Sequence, residues 1–233
     1  MRYLIKCTKE DEIKFISHLD FLRTLQRIIR RTDLKAEYSK GFNPHLALSI
    51  AQPLSVGVFS SAEYCDVYFE DEVDENEIKN KLMGVTPRGV KILDVVKALE
   101  DKKLPPSMAL VEAASHIISI PFEKTLNLEA EFKKLLSSKE WNIIKKSKKG
   151  DREVNIKPLI KKISYKIEDN NLILDVLTSC GSKENLSPQL LAEYIQKNLE
   201  LAEKEKFVKI QRKEIYTYKD DKLISLLEYF KTK

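Results

Sequence analysis

The sequence predicts an α+β protein made of two consecutive domains, each with the β-α-β-β-α-β order of a ferredoxin-like unit, closed by a C-terminal helix. Three observations predict it. Short β-type runs alternate with amphipathic helical segments at the start of the chain, and a similar order recurs after residue 115. Between the two lies Lys102-Lys103-Leu104-Pro105-Pro106-Ser107, where consecutive prolines stop both helix and sheet. The expected domains are 1–101 and 108–233.

The elements follow in order. Residues 3–8 form a short β-type run. Ser17 caps a helix to about Arg31, with Asp20 at the third helical position and Leu19, Leu22, Leu25, Ile28 and Ile29 as its buried stripe. Residues 36–39 and 46–51 are strand pieces around a turn-rich centre, Lys40 to His45. Residues 63–69 alternate as a strand, 74–83 make a short helix, and 90–96 close the unit. In the second half, 116–121 reads as a strand and Asn127 caps a helix to Ser137. Strands follow at 141–146, 154–167 and 172–177. Ser187-Pro188 opens a helix carrying Leu190, Leu191, Tyr194, Ile195 and Leu199 on its apolar face. A strand at 207–218 and a helix at 223–230 complete the chain.

Composition excludes several classes. The 233 residues, 42% of them hydrophobic, are too apolar for a disordered chain and long enough for a sizeable core. No apolar run approaches the roughly 20 residues of a membrane span, and charge enters too early for a signal peptide. A cytoplasmic protein with no membrane contact is expected. Cys7, Cys65 and Cys180 are widely spaced and form no C-x-x-C pair, which argues against a disulfide framework, a thiolate metal site or an iron–sulfur cluster. They read as small buried hydrophobes. No metal and no cofactor is expected in this chain.

The net charge of +5 hides an uneven distribution. Residues 1–105 carry 17 Lys and Arg against 17 Asp and Glu, and residues 106–233 carry 24 against 19. Residues 63–77 hold eight acids and no base, whereas 139–166 hold ten bases and three acids. The basic stretch reads either as a phosphate-contacting surface or as a solvated hairpin tip.

The stretch richest in chemistry runs from Phe15-Ile-Ser-His-Leu-Asp20 through Tyr38-Ser-Lys-Gly-Phe-Asn-Pro-His45 to Ala51-Gln-Pro-Leu-Ser-Val-Gly57. Together with Glu63-Tyr64 and the later Gly181-Ser182, Asn185, Pro188 and Leu191, it resembles the bacterial radical-SAM-linked proteins, a domain of unknown function. The likeness extends to about Tyr218. It implies a partner: such domains accompany, or are fused to, cobalamin-binding radical-SAM proteins, and lie near ribosome and RNA-processing genes. Since this chain lacks a cluster motif, the resemblance implies that the redox cofactor belongs to a separate protein.

From the residues themselves, Arg23, Arg27 and Arg30 or Arg31 share one side of the first helix, and guanidinium forks suit phosphate or carboxylate. They read as a recognition stripe or as a solvated face. Gly41-Phe42-Asn43-Pro44 is a turn, where Phe42 and His45 would form an aromatic platform for a base, or Phe42 would staple the turn to the core. Tyr38, Ser39, Gly41, Phe42, Asn43 and His45 thus join Arg23, Arg27 and Arg30 as candidate substrate or RNA contacts. His18, Asp20 and His45 are the alternative acid–base set, although His18 and Asp20 diverge on a helix. The leading expectation is a non-catalytic accessory module that binds RNA or a ribosome-related substrate and partners a separate radical-SAM enzyme. The alternatives are a metal-independent RNA-processing or RNA-modifying enzyme using a motif histidine, and an interaction protein using the acidic 63–77 segment.

Overall fold

A computed structural model describes residues 1–98, 104–145, 150 and 152–232. The protein is mixed α+β. Its elements are β1 (Arg2–Lys9), α1 (His18–Arg30), β2 (Leu48–Ile50), β3 (Val58–Tyr68), α2 (Glu75–Met83), β4 (Ile92–Lys97) and α3 (Ser107–Leu110). Then come β5 (Ala113–Pro121), α4 (Leu128–Ser137), β6 (Asn142–Lys145), β7 (Arg152–Asn155), β8 (Ile160–Glu168) and β9 (Asn171–Ser179). The chain ends with α5 (Pro188–Asn198), β10 (Lys209–Lys219), β11 (Lys222–Ser225) and α6 (Leu226–Lys231).

The chain divides into two compact units, Met1–Ala113 with Arg212–Lys233, and Ala114–Gln211. This differs from a single break near residue 105. Residues 102–103 of the expected linker lie outside the described residues, but Ser107 is fully buried at the start of α3. Its N–H and hydroxyl both donate to Asp66 Oδ2, at 2.8 and 2.7 Å. Residues 212–233 belong to the first unit, where Lys6 and Tyr64 bond Glu214 of β10 at 2.6 and 2.7 Å.

In the first unit the sheet runs β4-β1-β3-β10, with β2 on β3 and β11 on β10. The pairs β1–β3, β1–β4, β2–β3 and β10–β11 are antiparallel. Alternation sends Tyr3, Ile5 and Cys7 of β1 and Cys65 and Val67 of β3 to one face, where Phe21, Leu25, Ile28 and Ile29 of α1 and Ile78 and Leu82 of α2 cover them. Each such side chain contributes about 2 kcal/mol on leaving water. On the opposite face α6 packs: the Arg2 guanidinium lies 5.7 Å from the Phe230 ring centre, and Lys231 Nζ pairs with Asp94 Oδ2 at 2.7 Å.

The helix starts follow the sequence signals. Ser17 accepts the Asp20 N–H at 3.1 Å, and Asp74 accepts the N–H groups of Asn76 and Glu77 at 2.9 and 3.1 Å. The apolar stripe of α1 is corrected. Leu19 is 59% exposed and Phe21 takes the inward position, because Leu19 falls on the side opposite Leu25 and Ile28.

In the second unit β9 lies between β5 and β8, while β6 and β7 form a separate antiparallel hairpin. Trp141 is fully buried, stacks on Tyr194 with ring centres 5.1 Å apart, and donates Nε1–H to the Leu135 carbonyl at 3.0 Å. Two sequence expectations differ here and at the chain end. Asn127 precedes α4 but sits at φ 65° and makes no side-chain cap bond. The stretch 223–230 is not one helix: Asp220 and Asp221, at φ 49° and 60°, turn the chain into the hairpin β10–β11 before Ser225 caps α6.

Candidate functional site

The conspicuous motif occupies the N-terminal end of α1 and two loops of the first unit. Lys9, at the end of β1, is only 1% exposed and donates from Nζ to the carbonyls of Lys14 and Ile16 at 3.1 and 3.0 Å. The Gly57 N–H also donates to the Lys14 carbonyl, at 2.8 Å, and Gly57 sits at φ 85°, a conformation open to glycine. The segment before α1 and the Pro53–Gly57 turn are thereby joined. Burial lowers the Lys9 pKa, Glu63 counters that effect and Arg212 adds to it.

Along α1, Asp20 is fastened locally. It accepts the Ser17 hydroxyl at 2.7 Å and the Arg23 guanidinium at 3.0 Å, and these two bonds hold its carboxyl below the usual value. Arg27 and Arg30 are exposed, as is Arg31 just beyond the helix. Among the described residues the Arg30 and Arg31 side chains have no hydrogen-bonded or ion-paired partner, and the Arg27 guanidinium is felt only as a field at Asp20.

Tyr38, Ser39, Gly41, Phe42, Asn43 and His45 lie together in one loop. Tyr38 bridges to Leu46, Ser39 N–H donates to the His45 carbonyl at 2.7 Å, and His45 N–H donates to Ser39 Oγ at 3.0 Å. These bonds close the base of the loop and leave its tip in solvent. Gly41 stands at φ 139° with open space around it, and the Phe42 ring is fully exposed, so it does not staple the turn to the core.

His18 opens α1, half-buried, and the His45 imidazole is exposed. Among the described residues neither imidazole is hydrogen-bonded or ion-paired. Nor does any group of three or more His, Cys, Asp or Glu side chains stand ready to hold a metal ion there. His18, Asp20 and His45 are therefore not brought together as such a cluster. Cys7, Cys65 and Cys180 are all buried and free, and burial pushes the Cys7 and Cys65 thiols up.

Sequence reasoning missed the polar interior of this unit. Glu63 and Asp66, read as part of an acidic run, are each 1% exposed. Glu63 Oε1 receives a short bond from Arg212 Nη2, which also donates to the Gln52 carbonyl at 3.0 Å. Among the described residues Glu63 Oε2 and Arg212 Nε find no hydrogen-bond partner. Burial raises the Asp66 pKa against its two bonds from Ser107, and burial with the nearby Glu214 raises that of Tyr64. Much of the rest of the run is also engaged: Asp71 pairs with Lys35 at 3.0 Å, Glu72 with Lys97 at 2.5 Å, and Glu77 with Lys81 at 2.7 Å. It is not one open acidic field. One signal was available, since Glu63 shares its strand face with Cys65 and Val67.

The basic 139–166 stretch is divided in the same way, and its residues 146–149 and 151 lie outside the described residues. Lys157 Nζ caps α4 by donating to the Leu136 carbonyl at 2.8 Å and to that of Ser138, while Lys166 pairs with Glu168. A cavity of about 540 Å³ in the second unit is lined by Glu140, Glu153, Glu193, Tyr194 and Lys197 among others, so the basic residues do not form it alone.

No helix among the described residues is long and apolar enough to cross a membrane. A family model described as an uncharacterized protein conserved in bacteria (DUF2344) matches residues 2–188. No curated protein matches the chain.

Proposed function

The chain belongs to this uncharacterized bacterial family, and from that premise we propose that it is a non-catalytic accessory module which binds RNA through the first unit. The observation that carries this reading is the exposed guanidinium row of α1, in which Arg30 and Arg31 lack an internal counter-ion among the described residues. Unpaired surface arginines gain little for the fold, whereas each can replace condensed counter-ions on a phosphate backbone. Phe42, presented on a loop tied at its base, adds an aromatic face for a base.

The partner is a separate radical-SAM enzyme, to which this module presents its substrate. That half rests on the resemblance of the motifs at residues 15–20, 38–45 and 53–57. The finer fold reading also belongs here. Along the later part of the chain the order β5-α4-β8-β9-α5-β10, with the hairpin β6–β7 set aside and most of β10 belonging to the first unit, repeats β1-α1-β2-β3-α2-β4. It supports a duplicated ferredoxin-like architecture.

Gel-shift titration against structured RNA tests the RNA half. The wild type binds at low salt, and Arg27→Ala with Arg30→Ala weakens binding and lowers the salt slope by roughly 1–2. Absence of binding by the wild type at low salt overturns it. Co-purification with the radical-SAM protein tests the partner half, which fails if no complex forms.

A further inference from the structure

The exposed side of α1 continues past its arginines toward apolar residues that the sequence does not mark as candidate contacts. Leu19, Arg23, Arg27 and Arg30 recur at helical spacing, so one face runs from an apolar end to a cationic one. Leu19 is 59% exposed, Phe15 63% and Val56 56%. The backbone next to Val56 is tied to the backbone next to Phe15, because the Gly57 N–H donates to the Lys14 carbonyl at 2.8 Å. Phe15 is held outward by its own flanks, since buried Lys9 bonds the carbonyls on either side, at Lys14 and Ile16. The Lys14 ammonium, paired with Asp11 at 3.0 Å, lies 5.3 Å from the Phe15 ring centre.

An apolar shelf of this kind, fixed from beneath and continuous with a guanidinium row, fits a ligand that is apolar at one edge and polyanionic along the other. We infer that Phe15, Leu19 and Val56 form a shelf for unpaired bases of single-stranded RNA, with the backbone phosphates carried along Arg23, Arg27 and Arg30. This rests on the RNA reading above and narrows it to unpaired strands. Duplex RNA keeps its bases stacked inside and offers an apolar shelf nothing to contact, whereas an unstacked base gains from an aromatic or aliphatic face. Pre-ordering by Lys9 spares the shelf the cost of being fixed on binding.

The experiment compares wild type, Phe15→Ala with Val56→Ala, and Arg27→Ala with Arg30→Ala against a short oligouridine strand and a hairpin duplex, across a salt series. The inference expects the wild type to prefer the single strand. It also expects the shelf variant to lose about tenfold in affinity for it with its salt slope unchanged, as for removal of one stacking contact. The arginine variant instead lowers the slope for both probes. Equal binding of strand and duplex by the wild type, or a shelf variant that binds the strand normally, overturns the shelf while leaving the arginine reading intact. A wild type that binds neither probe at low salt removes both.

Discussion

Arg212 and Arg27 carry the same guanidinium into opposite surroundings within one unit. Arg212 is 2% exposed, bonded to Glu63 and to the Gln52 carbonyl, and set among buried side chains. Arg27 stands in solvent on α1 and reaches Asp20 only as a field. Charge type therefore says little about role here, and surroundings say nearly all of it. A buried pair is costly to break because the survivor keeps its charge without water, while an exposed arginine is already hydrated.

The sharpest way to break this contrast is Arg212→Met, which leaves Glu63 buried and unpaired. Stability should fall by about 3–5 kcal/mol in urea unfolding, and Glu63→Met added to it should restore much of the loss. A loss within the range of ordinary surface substitutions would dissolve the distinction.

Asp66 sharpens it through pH. Its folded pKa lies above the unfolded one, so the native state holds the proton more tightly in the interval between them. Stability therefore declines as pH rises through that interval, by up to about 1.4 kcal/mol per pH unit. Asp66→Asn keeps an acceptor for Ser107 but cannot titrate, so thermal unfolding across mildly acidic pH should lack this component. Identical pH profiles for variant and wild type would contradict it.

A smaller effect is expected from Ser17→Ala. The exposed cap loses its bonds with Asp20, at a cost of about 1 kcal/mol, read as a shift in the unfolding midpoint. Smallest of all, Arg27→Ala with Arg30→Ala should leave stability within about 0.5 kcal/mol of wild type. A larger loss would assign those arginines to the fold and not to a ligand.

The legible part of the molecule was local. Ser17, Asp74 and Ser187 announce the helices that follow, because a cap and its acceptor lie within three residues of each other. The motif loop was legible as a turn from Gly41 and Pro44. What stayed hidden depended on partners far along the chain. Glu63 meets Arg212 across 149 residues and Asp66 meets Ser107 across 41, and no periodicity spans such distances. The paired aspartates at 220 and 221 form the hairpin turn, a feature hidden in the sequence because the apolar residues after them suggest a continuous helix. For the candidate site, spacing located the arginines, but Phe15 and Val56 resemble core residues in sequence and only burial separates them.

The return of residues 212–233 to the first unit also has a consequence in time. At ordinary synthesis rates, the 149 residues between Glu63 and Arg212 take roughly 7–30 s to make. Throughout that interval the nascent first unit carries a carboxylate on its inward strand face without its hydrogen-bonded arginine. Its final closure therefore waits until the second unit has been translated, and a chain released before Arg212 would reach the cell's proteases with that defect still open.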